Sequence, residues 1–208
     1  MSWWRDQVAP RLSDRALDNA EVGELRAGAC DGLAGDIVEI GFGSGLNVAH
    51  YPDTIRTVAA IDPSEVAWVL AGRRIAAQTI PVTRGGLDGQ RVARPDESAD
   101  AVLSTFTLCT VPDAELALAE IVRLLRPGGT LHFLEHGLAP EPGVRRWQRR
   151  LEPLQDRVFA GCHLTRAFDE MLTATALVID DLQTRYMPGP AFTRPWGYLY
   201  AGVAHKPA

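Results

Sequence analysis

One stretch of the sequence combines residue types and spacing suited to holding a polar small molecule. The motif Glu39-x-Gly41-x-Gly43-x-Gly45 begins within a short apolar run, Asp36–Gly41, and extends beyond its end. Glycine lets a backbone turn sharply and approach a ligand closely, because it has no Cβ atom. The start of a following helix would present unpaired N–H groups to a carboxylate or another polar group. The motif therefore predicts a ligand-binding loop.

A carboxylate follows this loop at a position that suits a sugar. Asp62 ends a second apolar run, which begins at Thr57. A carboxylate at the end of the second strand of a doubly wound sheet can accept hydrogen bonds from both hydroxyls of a ribose. The alternative is that Asp62, which precedes Pro63, is a turn or cap residue, because Asp-Pro pairs favour turns.

The spacing of the glycines argues against two other glycine-rich motifs. A dinucleotide fingerprint, GxGxxG, requires Gly or Ala where this sequence has Leu46. A phosphate-binding P-loop requires a Gly-Lys-Ser/Thr sequence, which does not follow the loop. An NAD-dependent oxidoreductase is therefore disfavoured, although it remains an alternative interpretation.

The elements around these residues alternate between strand and helix patterns. Strands are predicted at Asp36–Gly41, Thr57–Asp62, Ile80–Thr83, Asp100–Phe106, Thr130–Glu135, Leu177–Arg185 and Tyr198–His205. Helices are predicted from about Leu46, from Ser64 to about Ala77, from Asp113 to Arg126 and near Ala167–Ala176. This alternation predicts a single α/β domain with a doubly wound, mostly parallel, seven-stranded sheet and helices on both faces.

Composition and charge restrict the class of protein. A formal net charge of -5 argues against a general nucleic-acid binder. Cys30, Cys109 and Cys162 are odd in number and far apart, so neither a disulfide framework nor a metal site is predicted. No apolar run approaches the roughly 18 residues of a membrane span, and the first residues lack the apolar core of a signal peptide. We therefore expect a soluble, cytoplasmic protein.

Together these motifs resemble those of class I S-adenosylmethionine-dependent methyltransferases. The glycine loop and Asp62 are similar to the first two family motifs, and Asp100–Phe106 and Leu124–Gly129 are similar to later ones. The run Ser104–Gly137 is most similar to the ubiquinone/menaquinone-biosynthesis type and to the methyltransferase-like thiol/lipid-associated type. The resemblance implies the Rossmann-like methyltransferase fold for one domain over residues 1–208. Its parts would be a helical cap (1–35), a cofactor-binding core (36–137), a helical insertion (138–164) and the end of the sheet (165–208).

The resemblance also implies S-adenosylmethionine as cofactor, S-adenosylhomocysteine as product, and a set of binding residues. The loop would surround the methionine half, Asp62 would hold the ribose, and the loop after the third strand would take the adenine. The implied set is Glu39, Gly41, Phe42, Gly43, Gly45, Asn47, Asp62, Pro63, Leu87, Asp88, Ser104, Thr105 and Phe106. Strand-end hydrogen bonding is the alternative role of Ser104 and Thr105. Whether Leu87 or Asp88 meets the adenine amine is left open.

Three polar residues fall where the methyl acceptor would enter. His136 is the candidate general base or acceptor-orienting group, because a histidine titrates near neutrality; a structural, hydrogen-bonded role is the alternative. For His163 a structural role is favoured. Cys109 is expected to be a small buried hydrophobe. No general base is required unless the acceptor is protonated at neutral pH.

Two segments outside the regular alternation are predicted to roof the acceptor pocket. They are the N-terminal segment around Trp3 and Trp4, and the insertion that contains Trp147. Helical spacing over Val144–Leu151 separates four arginines from Trp147, which is expected to pack inward, and Pro153 is expected to break or kink this helix. Contact with an anionic group or a peripheral membrane surface is the alternative role.

The sequence thus predicts a methyltransferase that acts on a small, apolar or aromatic molecule. Two alternatives remain: the NAD-dependent oxidoreductase, and a methyltransferase-fold protein that binds the cofactor without catalysis. Intact glycines and Asp62 predict binding, but they do not distinguish binding from turnover.

Overall fold

A computed structural model describes residues 3–158 and 161–208, which form one seven-stranded sheet with helices on both faces. The strands are β1 (Gly35–Ile40), β2 (Ile55–Ile61), β3 (Val82–Gly86), β4 (Ala99–Thr105), β5 (Leu125–His136), β6 (Val178–Tyr186) and β7 (Tyr198–His205). Their order is β3-β2-β1-β4-β5-β7-β6. Strands β1 to β5 pair in parallel, and β7 lies antiparallel between β5 and β6.

The helices begin with a π-helical stretch, Trp4–Val8, that continues into the first α-helix. The α-helices are α1 (Ala9–Leu17), α2 (Ala20–Cys30), α3 (Glu65–Ala76), α4 (Ala114–Leu124), α5 (Pro142–Val158), α6 (Phe168–Thr173) and α7 (Arg194–Gly197). The predicted starts of two helices are confirmed, because Ser64 and Asp113 act as N-caps: the Ser64 side chain accepts from the Ala67 N–H (3.1 Å), and the Asp113 side chain accepts from the Leu116 N–H (3.0 Å).

Alternate residues of each central strand face opposite layers of the core. In β1, Ile37 packs in a cluster with residues of α2, whereas Val38 packs in a cluster with residues of α4 and α6. A third cluster packs α3 against the glycine loop. Because side chains alternate across a strand, both faces of the parallel sheet are buried. The chain order reverses between β1 and β4, and ligands bind at such a switch point, beyond the carboxyl ends of the strands.

The predicted doubly wound sheet is confirmed, with β7 at the predicted residues. The helix predicted from Leu46 is wrong, because the chain forms only a short 3-10 turn at Val48–His50. Tyr51 leaves this turn in an extended conformation and precedes Pro52. A residue before proline disfavours the helical region, so the turn cannot extend.

Helix α5 differs from its prediction in two respects. It continues through Pro153. The proline leaves the carbonyl of Arg149, four residues earlier, without its helical N–H partner, and both residues are exposed, so that water can serve this carbonyl. The prediction that Trp147 packs inward is also wrong, since its side chain is 54% exposed. Leu154, two helical turns later on the same face, is 60% exposed. Gln148 is buried instead: its amide donates to the Gly137 carbonyl and its carbonyl accepts from the Ala139 N–H, both at 3.0 Å. These bonds to the chain after β5 decide which face is buried.

None of the helices in the described residues has both the length and the apolar character needed to cross a membrane.

Candidate active site

A large cavity lies at the carboxyl ends of β1, β2 and β4, with a volume of about 840 Å³. Its lining combines the glycine loop, the residues after β2, β3 and β4, and parts of the N-terminal helical region and of the insertion. Of the predicted cofactor-binding residues, the cavity is lined by Gly41, Phe42, Gly43, Asp62, Pro63, Leu87, Asp88, Thr105 and Phe106. The structure thus brings residues from four separate strand ends to one space.

The glycines of the loop have different structural roles. Gly41, Gly43 and Gly45 all have positive φ values (74°, 55° and 75°), which residues other than glycine rarely adopt. A Cβ at Gly41 would lie 1.8 Å from the Thr107 hydroxyl oxygen, so this glycine allows the loop to pack against the segment after β4. A Cβ at Gly43 would meet only the Gly41 carbonyl oxygen, at 3.8 Å, among the described residues beyond its chain neighbours. Gly43 is therefore the loop glycine with the most open space beside it.

Asp62 lies between the glycine loop and the start of α3. Its carboxylate accepts from the Gly43 N–H (2.9 Å) and from the Ser64 N–H (2.8 Å). Burial raises the pKa of Asp62, and the two backbone hydrogen bonds oppose this shift. Asp62 therefore has the turn contacts of the alternative interpretation, whereas Ser64 caps the helix. Asp62 also lines the cavity, where its ribose-binding role stays a prediction.

The loop after β3 contributes Leu87 and Asp88 to the same cavity. Leu87 is exposed, and one oxygen of Asp88 accepts from the backbone N–H and the side-chain amide of Gln90 (2.9 and 3.1 Å). Asp88 therefore already organises its own turn.

Beneath the cavity, a buried polar network connects the remaining loop residues. Asn47 donates to Glu39 (2.9 Å) and to the Thr105 hydroxyl (2.9 Å), and Tyr51 donates to the second oxygen of Glu39. Burial raises the pKa of Glu39 to about 7, while hydrogen bonds from Tyr51 and Asn47 oppose the shift. Glu39, Gly45, Asn47 and Ser104 do not line the cavity, so these predicted cofactor residues lie behind its surface.

Sequence reasoning missed Arg26, which belongs to this network and also lines the cavity. Its guanidinium donates to Asn47 and Thr105 (2.8 Å each), while its Nε has no partner among the described residues. Burial lowers the pKa of Arg26, and the nearby carboxylate of Glu39 opposes this. A signal was present in the sequence: Arg26 falls one helical turn from Val22 and one from Cys30, on the buried face of α2.

Sequence reasoning also missed the function of Glu135 at the end of β5. This buried carboxylate accepts from the Ser104 hydroxyl (2.7 Å) and from the N–H groups of Thr107, Leu108 and Cys109 (3.0–3.1 Å). Ser104 therefore has the strand-end hydrogen bond that was the alternative to cofactor contact. Glu135 fixes the loop after β4, which contains Phe106 in a left-handed conformation (φ 54°).

The predicted acceptor residues are separated by the fold. His163 lines the cavity and its Nδ1 lies 3.0 Å from a carboxylate oxygen of Glu152. His136 and Cys109 do not line it: His136 packs against the ring of Phe106 (4.9 Å between centroids), and Cys109 is buried beside Cys162. The structure thus does not bring His136 to the space where an acceptor would enter.

The predicted roof forms, but not from the predicted tryptophans. Trp3, Trp4 and Trp147 do not line the cavity; the contribution from the N-terminal region comes from residues between Asp6 and Leu17. The insertion contributes Asp156, Gly161 and His163. The Trp4 indole donates to the Val158 carbonyl (3.1 Å) and so connects the two roofing segments.

Comparison with known proteins is consistent with this architecture. Residues 38–133 match the family described as "Methyltransferase domain". The chain is 32% identical to the human thiol S-methyltransferase TMT1A over 176 residues, which cover 79% of this chain and 69% of the relative. It is 35% identical to human TMT1B over 82% of this chain and 70% of the relative. A fatty-acid O-methyltransferase of Mycolicibacterium smegmatis is 28% identical over 79% and 58%.

Solved structures share the fold at low sequence identity. The YcgJ protein from Bacillus subtilis superposes with a TM-score of 0.70 at 14% identity, covering 89% of this chain and 98% of that one. Geranyl diphosphate methyltransferase in complex with SAM superposes with a TM-score of 0.66 at 13% identity, covering 89% and 84%. Given the identity to TMT1A and TMT1B, the matched domain and the sheet order, this chain belongs to the class I S-adenosylmethionine-dependent methyltransferases.

Proposed function

We propose that the protein binds S-adenosylmethionine in this cavity and transfers the methyl group to a small, apolar acceptor, with a thiol as the first candidate class. The observation that carries the proposal is the continuity of the cavity from the glycine loop to His163. Its volume of about 840 Å³ is near the upper end of ordinary ligand sites, roughly 300–1,000 Å³. One space can thus hold a nucleoside-containing cofactor together with a small second molecule.

The residues at the glycine-loop end fit S-adenosylmethionine. Gly43 leaves room for close approach, and Asp62 supplies a carboxylate for the ribose hydroxyls. The Nε of Arg26, which has no partner in the described part of the chain, offers a buried cationic donor, which suits the methionine carboxylate. Leu87 and Asp88 offer an apolar side chain and an acceptor to the adenine. The oxidoreductase alternative is disfavoured by Leu46, which stands where the dinucleotide fingerprint requires Gly or Ala.

When bound, the cofactor supplies a methyl group already activated on a sulfonium. The main contribution of this chain is then to align the acceptor and keep water out. Glu135 holds the Thr107–Cys109 backbone rigid on one side, and the roofing segments close the other side. Apolar roof and loop residues, among them Leu17, Phe106 and Val111, favour an acceptor with an apolar body.

His163 is our candidate base. A histidine that donates from Nδ1 to the Glu152 carboxylate keeps Nε2 available as an acceptor, the arrangement used by oriented catalytic histidines. Alkyl thiols are mostly protonated at neutral pH, so their methylation benefits from a group that takes this proton. Relatives named as thiol S-methyltransferases, at 31–35% identity, support testing thiols first.

The proposal is tested by calorimetric titration followed by a methyl-transfer assay. We expect binding of S-adenosylmethionine and S-adenosylhomocysteine but not NAD, and methyl transfer to apolar thiols in a panel that also holds fatty acids and quinols. His163→Gln should lower kcat for thiols by about 10²–10⁴-fold while S-adenosylhomocysteine affinity is retained. His205→Gln, on β7 beside Asp180, is the matched control. Binding of NAD would overturn the proposed cofactor. Methylation of fatty acids or quinols but not of thiols would overturn the proposed acceptor class.

A further inference from the structure

Outside the cavity, three metal-ligating side chains meet at one point of the core. The Cys162 sulfur lies 3.9 Å from the Cys109 sulfur and 3.9 Å from Nδ1 of His136. The ligand atoms of the three residues all lie within 4.8 Å of one another. Both cysteines are buried, and His136 is partly buried. The three residues come from the loop after β4, the end of β5 and the segment after α5, so only the tertiary fold assembles them.

We propose that Cys109, His136 and Cys162 form a zinc-binding site that fastens the insertion to the sheet. Thiolate and imidazole are the ligands that zinc prefers in proteins. Two thiolates balance the charge of the divalent ion, which allows the site to lie in a buried position. Three protein ligands leave the fourth tetrahedral position to water. The sequence predicts no metal here, because the ligands are 27 and 26 residues apart and form no local motif.

The separation of the two sulfurs agrees with a tetrahedral metal site. With Zn–S bonds of about 2.3 Å, two sulfurs on one zinc lie about 3.8 Å apart. The observed separation between Cys109 and Cys162 is 3.9 Å, whereas a disulfide would require about 2.05 Å. Two thiols in simple contact would also lie near this distance. The imidazole nitrogen at 3.9 Å from Cys162 distinguishes the cluster, because it adds a third ligand of the correct type.

Backbone hydrogen bonds hold the ligands in place. The Cys109 N–H donates to Glu135 (3.1 Å), and the Cys109 carbonyl accepts from the His163 N–H (2.7 Å). His136 directly follows Glu135, and His163 directly follows Cys162. Cys109 is therefore held by its own hydrogen bonds, and His136 and Cys162 are each next in sequence to a residue that is bonded to Cys109. Such support orients ligands before a metal binds.

The site has a structural consequence for the cavity. Because His163 is next in sequence to Cys162, a metal at this point would fix the backbone of a cavity-lining residue. The metal would lie behind Phe106, whose ring separates His136 from the lining. Its role is to position the insertion, and methyl transfer does not pass through it. Zinc binding at this site therefore does not depend on which acceptor the protein methylates.

The experiment is a metal analysis of the untagged full chain, purified without chelator. We expect equimolar zinc in the wild type, and loss of zinc in Cys162→Ser and in His136→Asn. Cys30→Ala is the matched control, because Cys30, at the end of α2, is also buried but packs in a different cluster that includes residues of β1. It should keep its zinc.

A cobalt titration of the wild-type apoprotein provides a readout that does not depend on variants folding. We expect a thiolate-to-cobalt charge-transfer band and intense visible bands typical of tetrahedral coordination, with zinc displacing cobalt. Zinc should also raise the Tm. Absence of zinc and of the cobalt bands would overturn the proposal. Retention of zinc by Cys162→Ser would also overturn it. The same holds if Cys109 and Cys162 form a disulfide in the wild type, which would leave one of the three thiols free.

Discussion

The two sides of the cavity are held in place by different kinds of contact. The floor, formed by the glycine loop, the end of β4 and the network of Arg26, Glu39 and Asn47 beneath them, is bound by buried hydrogen bonds. The roof is formed by the N-terminal helical region and the α5 segment. The N-terminal region is attached by partly exposed ion pairs, in which Arg74 of α3 pairs with Asp14 of α1 and with Asp18 directly after it, and by the Trp4 indole, which donates to the Val158 carbonyl. Helix α5 is anchored by the buried hydrogen bonds of Gln148.

This difference has energetic consequences. Removing one partner from a buried charged network costs several kcal/mol, because it leaves uncompensated polar groups in the interior. Exposed ion pairs typically contribute about 0–1 kcal/mol. The floor should therefore stay fixed under conditions in which the N-terminal part of the roof can open. Loops and helices with few buried contacts supply the low-stability motions of a protein, and an enzyme must admit its acceptor.

The largest effect is expected from removing the cation of the floor. Arg26→Met should lower the free energy of unfolding by about 3–5 kcal/mol, because Asn47 and Thr105 lose a buried partner and Glu39 loses a neighbouring positive charge. Urea denaturation measures the change. The control is Arg15→Met on the exposed side of α1, expected within about 0.5 kcal/mol of wild type. Equal stability of the two variants would contradict the assignment of the network to the floor.

A pH effect of somewhat smaller size should come from Glu39. Burial raises its pKa from 4.5 to about 7, so the folded chain binds a proton that the unfolded chain has released in this range. The associated stability is present below the unfolded pKa and is lost as pH rises to about 7. The loss should be on the order of 3 kcal/mol. Glu39→Gln should flatten this part of the pH profile of unfolding, whereas Glu24→Gln, exposed on α2, should not. A wild-type slope in Glu39→Gln would refute the prediction.

Asp62 tests whether the floor also binds the cofactor. Asp62→Ala should weaken S-adenosylhomocysteine binding by about tenfold or more, since charge-assisted hydrogen bonds contribute about 1.5–3 kcal/mol. Asp113→Ala is a matched control, because the Asp113 carboxylate also accepts from a backbone N–H near the start of a helix but Asp113 does not line the cavity. It should cost about 1 kcal/mol of stability with unchanged affinity. Calorimetry measures the affinity of both variants for S-adenosylhomocysteine. Equal affinities would mean that Asp62 only stabilises its own turn.

The smallest effect is expected at the roof. Trp4→Phe removes the hydrogen bond to Val158 and should raise the acceptor KM by about threefold, in line with a net 0.5–1.5 kcal/mol per hydrogen bond. Affinity for S-adenosylhomocysteine should remain unchanged. Trp3→Phe, at a 71% exposed ring, is the control and should match wild type. A loss of cofactor affinity in Trp4→Phe would show that roof and floor are not separable.

The amino-acid sequence by itself determined the sheet and the floor motif. Apolar runs such as Asp100–Phe106 and caps such as Ser64 and Asp113 depend on neighbours within a few residues. The positive φ values of Gly41, Gly43 and Gly45 depend on the absence of a side chain. Local chemistry sets these features, so they could be predicted from sequence.

Only the tertiary structure decided which polar residues meet. Arg26 reaches Thr105 across 79 positions, and Glu135 gathers the loop after β4 from 26 to 31 positions away. The burial of Gln148 in place of Trp147 follows from two peptide groups after β5 that needed partners. His136 is directed towards Cys162 rather than the cavity for the same kind of reason. Long-range hydrogen bonding and packing decide which residues meet; a local pattern, such as the spacing of Arg26 from Val22 and Cys30, indicates at most that a residue is buried.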